Sequence, residues 1–189
     1  YHGNTGAAIV ATGDWRRMPN EYARGHVHFF GPFLYRSEFW AETPEQESER
    51  ALHHLERIIQ AEGSGTIAAL LLETVPGTAG VLVPPPGYLE GVRALCDKYG
   101  IILIFDEVMC GFGRTGEWFA WQGFGVVPDL VTFAKGVNSG YVPRAACSSA
   151  NRSPTTSSSR SSPAASPTRA TRSRWRRSWA PSTRWRPRE

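Results

Sequence analysis

The sequence predicts an α/β fold over residues 1–143, with a mainly parallel sheet covered by helices. Three observations predict it. Short runs that are apolar on both faces occur at residues 67–73, 101–105 and 130–133, the pattern of strands buried on both sides. Helical periodicity precedes and separates the first two, at residues 43–63 and 87–99. Each apolar run ends at or just before a polar residue, Glu73, Asp106 or Lys135. In parallel sheets the ligand sits beyond the carboxyl ends of the strands, where all three of these residues fall.

The elements follow in order. Residues 5–12 are small enough to pack closely and can begin as a helix. Residues 13–40, rich in aromatics, Gly and Pro, read as a long irregular loop. Thr43-Pro44-Glu45-Gln46 is a helix start: Thr43 caps, Pro44 suits the first helical position and Gln46 completes a capping box. Leu52, Leu55, Ile58 and Ile59 then recur at helical spacing up to Gly63. After the strand ending at Glu73, a loop carries Gly77, Gly80 and three prolines, Pro84 to Pro86. A helix from Gly87 to Tyr99 presents Leu89, Val92, Leu95 and Cys96 on one face. The strand Ile101 to Phe105 leads into Asp106-Glu107, and the strand Leu130 to Phe133 stops just short of Lys135.

Composition breaks sharply after residue 143. Residues 1–143 hold 10 Lys+Arg and 16 Asp+Glu, a net charge of −6; residues 144–189 hold 11 Arg and one acid, a net charge of +10. The whole-chain value of +4 describes neither part. The tail has no Leu, Ile, Val, Phe, Met or Gly, so it cannot bury enough apolar surface to offset the entropy of ordering it. Disorder is expected there. Cys96, Cys110 and Cys147 have no metal-ligand spacing, and their odd number argues against a disulfide framework. No apolar run has the length of a membrane span, and none opens the chain as a secretory leader would. A reducing, cytoplasmic setting without metal or membrane is the expectation. The chain opens on Tyr1 rather than Met and is expected to begin partway through a longer protein.

Lys135 follows an apolar strand in Thr-Phe-Ala-Lys-Gly. Partial desolvation there would favour its neutral amine, a nucleophile suited to an aldehyde, and Gly136 leaves room beside it. Asp106 at a strand end can hold a proton on a heterocyclic nitrogen, or it can cap a helix or bind a metal. Glu73 can orient a neighbour or cap a loop. Tyr1 can stack on a flat ring or simply pack. Gly111-Phe112-Gly113-Arg114-Thr115-Gly116 superficially looks like a phosphate loop, but aromatics rather than a helix follow it, so a dinucleotide site is not expected.

Together the motifs resemble class III aminotransferases of the omega-amino-acid type. The resemblance rests on Tyr1-His2-Gly3-Asn4-Thr5, on Glu73 to Gly80 leading into Pro84 to Tyr88, and on Asp106-Glu107-Val108 running into Gly111 to Gly116. It continues through Pro128-Asp129 and Ala134-Lys135-Gly136, and so spans essentially all of residues 1–143. It implies the type I pyridoxal-phosphate transferase fold, with residues 1–143 as part of the cofactor-binding large domain. The implied cofactor is pyridoxal 5'-phosphate. Lys135 is implied as the catalytic lysine that binds it covalently and shuttles a proton between substrate carbon and cofactor carbon. Asp106 would pair with the pyridine nitrogen, Val108 would pack on one ring face and Tyr1, in its motif with His2, on the other. Glu73 would support the ring hydroxyl region or gate the amino-donor half-reaction. The implied partners are an amino donor, a keto acid such as pyruvate, and a second copy in a homodimer. The family's phosphate cup and small domain are absent from this sequence, so the chain alone is expected to be inactive.

After Gly-Tyr-Val-Pro the family continues Leu-Gly-Gly-Val, whereas Pro143 is followed here by Arg144-Ala145-Ala146-Cys147. Restoring one base converts CCG-CGG-GCG-GCG-TGC into codons for Pro-Leu-Gly-Gly-Val. Residues 167–176, read in the same shifted frame, give a segment like the family's Ser-Gly-His-Pro. Residues 144–189 are therefore expected to be a frameshift product. Two rivals stand beside this. Arg172, Arg174, Arg176 and Arg177 with Trp175 and Trp179 form a basic arm that could bind nucleic acid non-specifically. A charge run is more often merely solvated, so nucleic acid is not expected as a functional partner. Alternatively, the chain is a non-catalytic fragment that pairs with an intact relative.

Overall fold

Among the described residues the three helices and three strands expected from the sequence appear in that order, with one further short helix and one further strand. The computed structural model describes residues 1–20, 25–142 and 144–150, all within one unit, Tyr1–Ser153. The elements are α1 (Gly6–Ala11), α2 (Pro44–Glu62), β1 (Ala69–Glu73), α3 (Tyr88–Tyr99), β2 (Ile102–Asp106), α4 (Ala120–Gly123), β3 (Leu130–Phe133) and β4 (Ala146–Ser149). The strands lie side by side in that order. β1, β2 and β3 are parallel, and β4 is antiparallel to β3.

Local chemistry sets the helix ends. Thr43 Oγ1 accepts from the Gln46 amide at the start of α2, and the Gln46 side chain reaches back to the Glu42 amide, a capping box displaced by one residue. α3 ends on Gly100 at φ 68°, whose amide bonds to the Cys96 carbonyl, a left-handed cap that glycine adopts without strain. The buried stripe of α2 is Ala51, Leu55 and Ile59, while Leu52 and Ile58 flank it half-buried. With Leu89, Val92 and Cys96 of α3 and Leu103 and Phe105 of β2 they form the main core. Glu47 is also fully buried in α2, and accepts from the Phe33 amide at 2.7 Å and from Ser37 Oγ. One carboxylate thus pins the irregular 30–41 segment to the helix.

The tail departs from expectation at its start. Structure is not expected beyond residue 143, yet Ala146–Ser149 form β4, with Thr132 opposite Cys147 and Leu130 opposite Ser149. All four β4 residues are exposed, so the strand is held by main-chain pairing and needs no apolar side chains. The basic arm and the rest of the expected frameshifted segment lie outside the described residues. Among the described residues no helix is long and apolar enough to cross a membrane.

Candidate active site

The parallel register carries two acids to one place. Glu73 is opposite Asp106, and Asp106 is opposite Thr132, so the carboxyl ends of β1 and β2 present side-by-side carboxylates. Asp106 is only 4% exposed. Its Oδ1 accepts from the Val108 amide at 2.9 Å, and its Oδ2 shares a 2.6 Å hydrogen bond with His2 Nδ1. Glu73 Oε1 accepts from the Tyr1 ammonium at 2.7 Å, and Oε2 from the Gly77 amide at 2.9 Å. His2 is itself placed by Thr12, whose hydroxyl accepts the His2 amide at 3.0 Å and donates to Ala8 of α1. Tyr1, His2, Glu73, Asp106 and Val108, all named by the resemblance, therefore come together.

A further acid organises this ensemble. Glu107 is fully buried and accepts from Thr74 Oγ1 (2.7 Å), the Ala120 amide (2.9 Å) and the Trp121 amide (3.0 Å). It ties the end of β1 to the start of α4, and charge-assisted bonds of this kind are the strong ones. Its backbone also bonds to both sides, the amide to Thr132 O and the carbonyl to the Gly111 amide, each at 2.8 Å. Asp106 and Val108 are thus fixed by the residue between them. The Asp-Glu doublet at a strand end was the available signal. Its partners lie 13 to 33 residues away, beyond any local pattern.

Lys135 is placed differently. It sits in a 3-10 turn, Lys135–Val137, exposed, with Nζ 2.6 Å from Met109 Sδ. Among the described residues nothing gives it the desolvation expected of it. Its φ of 23° is in the region that L residues rarely adopt, and such strain collects at functional positions. Gly136 is needed for a reason other than room on the amine: a Cβ there would lie 2.7 Å from Phe112 Cβ. Phe112 in turn packs edge-on against Phe119 and Phe133, so Gly136 lets the lysine turn close over the 111–119 loop. That loop folds back on itself, Phe112 N to Trp118 O and Gly113 N to Glu117 O.

A cavity of about 390 Å³ opens beside Glu73, lined by Tyr1, His2, Asp14, Glu73 and Thr78 among others. The Arg16 guanidinium stands over the Tyr1 ring, 4.4 Å from its centroid, and also bonds to Asp14. That bond holds the Asp14 carboxyl down at about 2. Cys110, behind the site, donates to Val75 O, and burial pushes its thiol up.

Comparison with known proteins fits this geometry. The family model described as aminotransferase class-III matches residues 1–163. Taurine–pyruvate aminotransferase of Bilophila wadsworthia is 43% identical over 145 residues, which is 76% of this chain and 31% of that protein. Putrescine–pyruvate aminotransferase of Pseudomonas aeruginosa is 40% identical over 146 residues, 76% of this chain and 32% of that protein. Among solved structures, taurine:2-oxoglutarate aminotransferase from Bifidobacterium kashiwanohense, in complex with PLP and glutamate, superposes with a TM-score of 0.76 at 50% identity. That match covers 80% of this chain and 35% of that one. The chain spans about a third of the length of the curated relatives it matches. Its mostly parallel sheet with flanking helices is part of the type I pyridoxal-phosphate transferase fold. The chain belongs to the class III aminotransferase family.

Proposed function

We propose that this chain carries the cofactor-anchoring part of a pyridoxal 5'-phosphate-dependent aminotransferase. The whole enzyme moves an amino group from an amine or amino acid to a keto acid such as pyruvate. The observation that carries this reading is Asp106: a nearly buried carboxylate at a sheet edge, both oxygens fixed, with an imidazole as its nearest partner. Such an anion suits a protonated ring nitrogen, and the residues around it fit the cofactor. Asp106 would hold the proton on that nitrogen, with His2 Nδ1 keeping the carboxylate oriented. Tyr1 and Val108 supply the surfaces for the two ring faces, and Glu73, opposite Asp106 in the register, is the acid for the ring hydroxyl side. Lys135 Nζ is the amine for the aldehyde carbon, and when free it moves a proton at the substrate carbon. Bound pyridoxal phosphate supplies an electron sink for the bond being broken.

The chain alone is expected to turn over no donor. It covers a third of its relatives, and its lysine is open to water. The whole enzyme is expected to act as a homodimer in a reducing cytoplasm. Supporting this are three cysteines that form no disulfide among the described residues and aromatic side chains such as Trp40 and Tyr35, 87% and 84% exposed, available to a partner.

The chain has two lysines, Lys98 and Lys135, which makes the test simple. Its hydrogen bond to Glu56 raises the Lys98 pKa and keeps that amine protonated. After incubation with pyridoxal phosphate and borohydride reduction, peptide mass mapping should place the pyridoxyl group on Lys135. Equal labelling of Lys98 and Lys135 would count against the assignment.

A further inference from the structure

We propose that Met109 is a positioning residue for Lys135: its thioether accepts from the lysine amine and aims it without fixing its charge. This rests on the aminotransferase reading above and adds to it a residue that prepares the lysine.

An exposed lysine has a long flexible stem, samples many directions and loses entropy when it is ordered. Lys135 is exposed, yet its Nζ lies 2.6 Å from Met109 Sδ, its hydrogen-bond partner among the described residues. The type of partner matters. A carboxylate in that place would favour the charged ammonium, which is not a nucleophile. A thioether is uncharged, weak and able only to accept. It takes one N–H of the amine and leaves the nitrogen lone pair for the aldehyde carbon.

Met109 can aim the amine because it is itself held. Its side chain is half-buried and packs against the cluster of Val75, Cys110 and Ala120. It also fills the space over Gly77, where a Cβ would lie 2.9 Å from Met109 Cγ and 3.1 Å from Cε. Gly77 in turn donates its amide to Glu73 Oε2 at 2.9 Å. The sulfur is thus set by the loop after β1, and it reaches the lysine that follows β3. Gly77 is needed here as open space for the methionine.

The test uses the full chain, pyridoxal phosphate and borohydride, with peptide mass mapping to give the labelling rate at each lysine. The readout is the rate at Lys135 divided by that at Lys98, which lies on α3 bonded to Glu56 and serves as a reference within the same molecule. Met109→Leu keeps the bulk and removes the acceptor. It should lower the ratio about fivefold, the worth of one hydrogen bond, with the urea midpoint little changed. Met109→Gln, unbranched and with a neutral acceptor at similar reach, should stay within about twofold of wild type. Gly77→Ala, which displaces the methionine without altering it, should lower the ratio as well, and it serves as the test should the Leu variant fail to fold. A wild-type ratio in Met109→Leu, or an equal fall in the Leu and Gln variants, overturns the proposal. So does a fall that vanishes as pH rises, which would mark a change in the amine's charge rather than its aim. If wild-type chain prefers Lys135 and the variants do too, only the Met109 assignment falls. If wild-type chain labels both lysines equally, the cofactor reading fails and the Met109 assignment falls with it.

Discussion

The ends of β1 and β2 and the end of β3 lie at the same edge of the sheet, but they are built very differently. At the first, Glu73, Asp106 and Glu107 are buried and every carboxylate has two or more donors or partners within this chain. At the second, Lys135 is exposed, its backbone is strained and the neighbouring strand β4 is exposed throughout. The acid half is self-sufficient, because its hydrogen bonds close among residues 1–12, 73–77 and 106–121. At the lysine half the amine is exposed, with Met109 Sδ 2.6 Å away. Burial and closed hydrogen bonding are thus concentrated at one part of the sheet edge, and exposure at the other.

The strongest way to break this comparison is to remove the acid half's organiser. Glu107→Ala leaves the Thr74 hydroxyl and two α4 amides without their acceptor, and should cost roughly 3–5 kcal/mol in urea unfolding. A loss below about 1 kcal/mol would mean that the acid half is ordered by something else.

Thiol chemistry sharpens the contrast. Cys110 lies in the acid half, buried, with its pKa raised by burial, whereas Cys147 is exposed on β4. At pH 8, iodoacetamide should label Cys147 at least about tenfold faster than Cys110, since thiolate fraction and access both favour it. The sign for stability follows from the same shift. A thiol whose pKa is raised on folding adds stability that is complete below its unfolded value and fades as pH climbs above it. Comparable labelling of the two cysteines in native buffer would show that the acid half opens as freely as the lysine half.

The smallest effect concerns the strained lysine. Lys135→Gly should stabilise the chain by roughly 0.5–1 kcal/mol by relieving a positive φ, whereas Lys135→Ala should leave the unfolding midpoint nearly unchanged. Identical midpoints for the two variants would remove strain from the account of that turn.

How much of this was legible depends on the range of the interactions. The α2 start was readable from Thr43 to Gln46, because cap and capped residue are neighbours. Glu73 and Asp106 were readable as strand ends, because apolar runs show where strands stop. The contact between His2 and Asp106 spans 104 residues; the resemblance assigned both to the cofactor, and no spacing showed that they touch. Glu107 stayed hidden for the same reason, since its partners belong to β1 and α4. The exposure and strain of Lys135 depend on how the turn after β3 packs, which residue type does not record. β4 was invisible because strand signals are apolar, and Ala146, Cys147, Ser148 and Ser149 carry almost none.

That last strand has a consequence for how the chain stores information. β4 holds its place through peptide groups that every residue except proline possesses in full, and none of its side chains is buried. Its four positions therefore constrain topology while carrying almost no message of their own. Many spellings of these residues should dock equally well against Leu130–Phe133, so selection on the strand would act on its length and freedom from proline rather than on its letters.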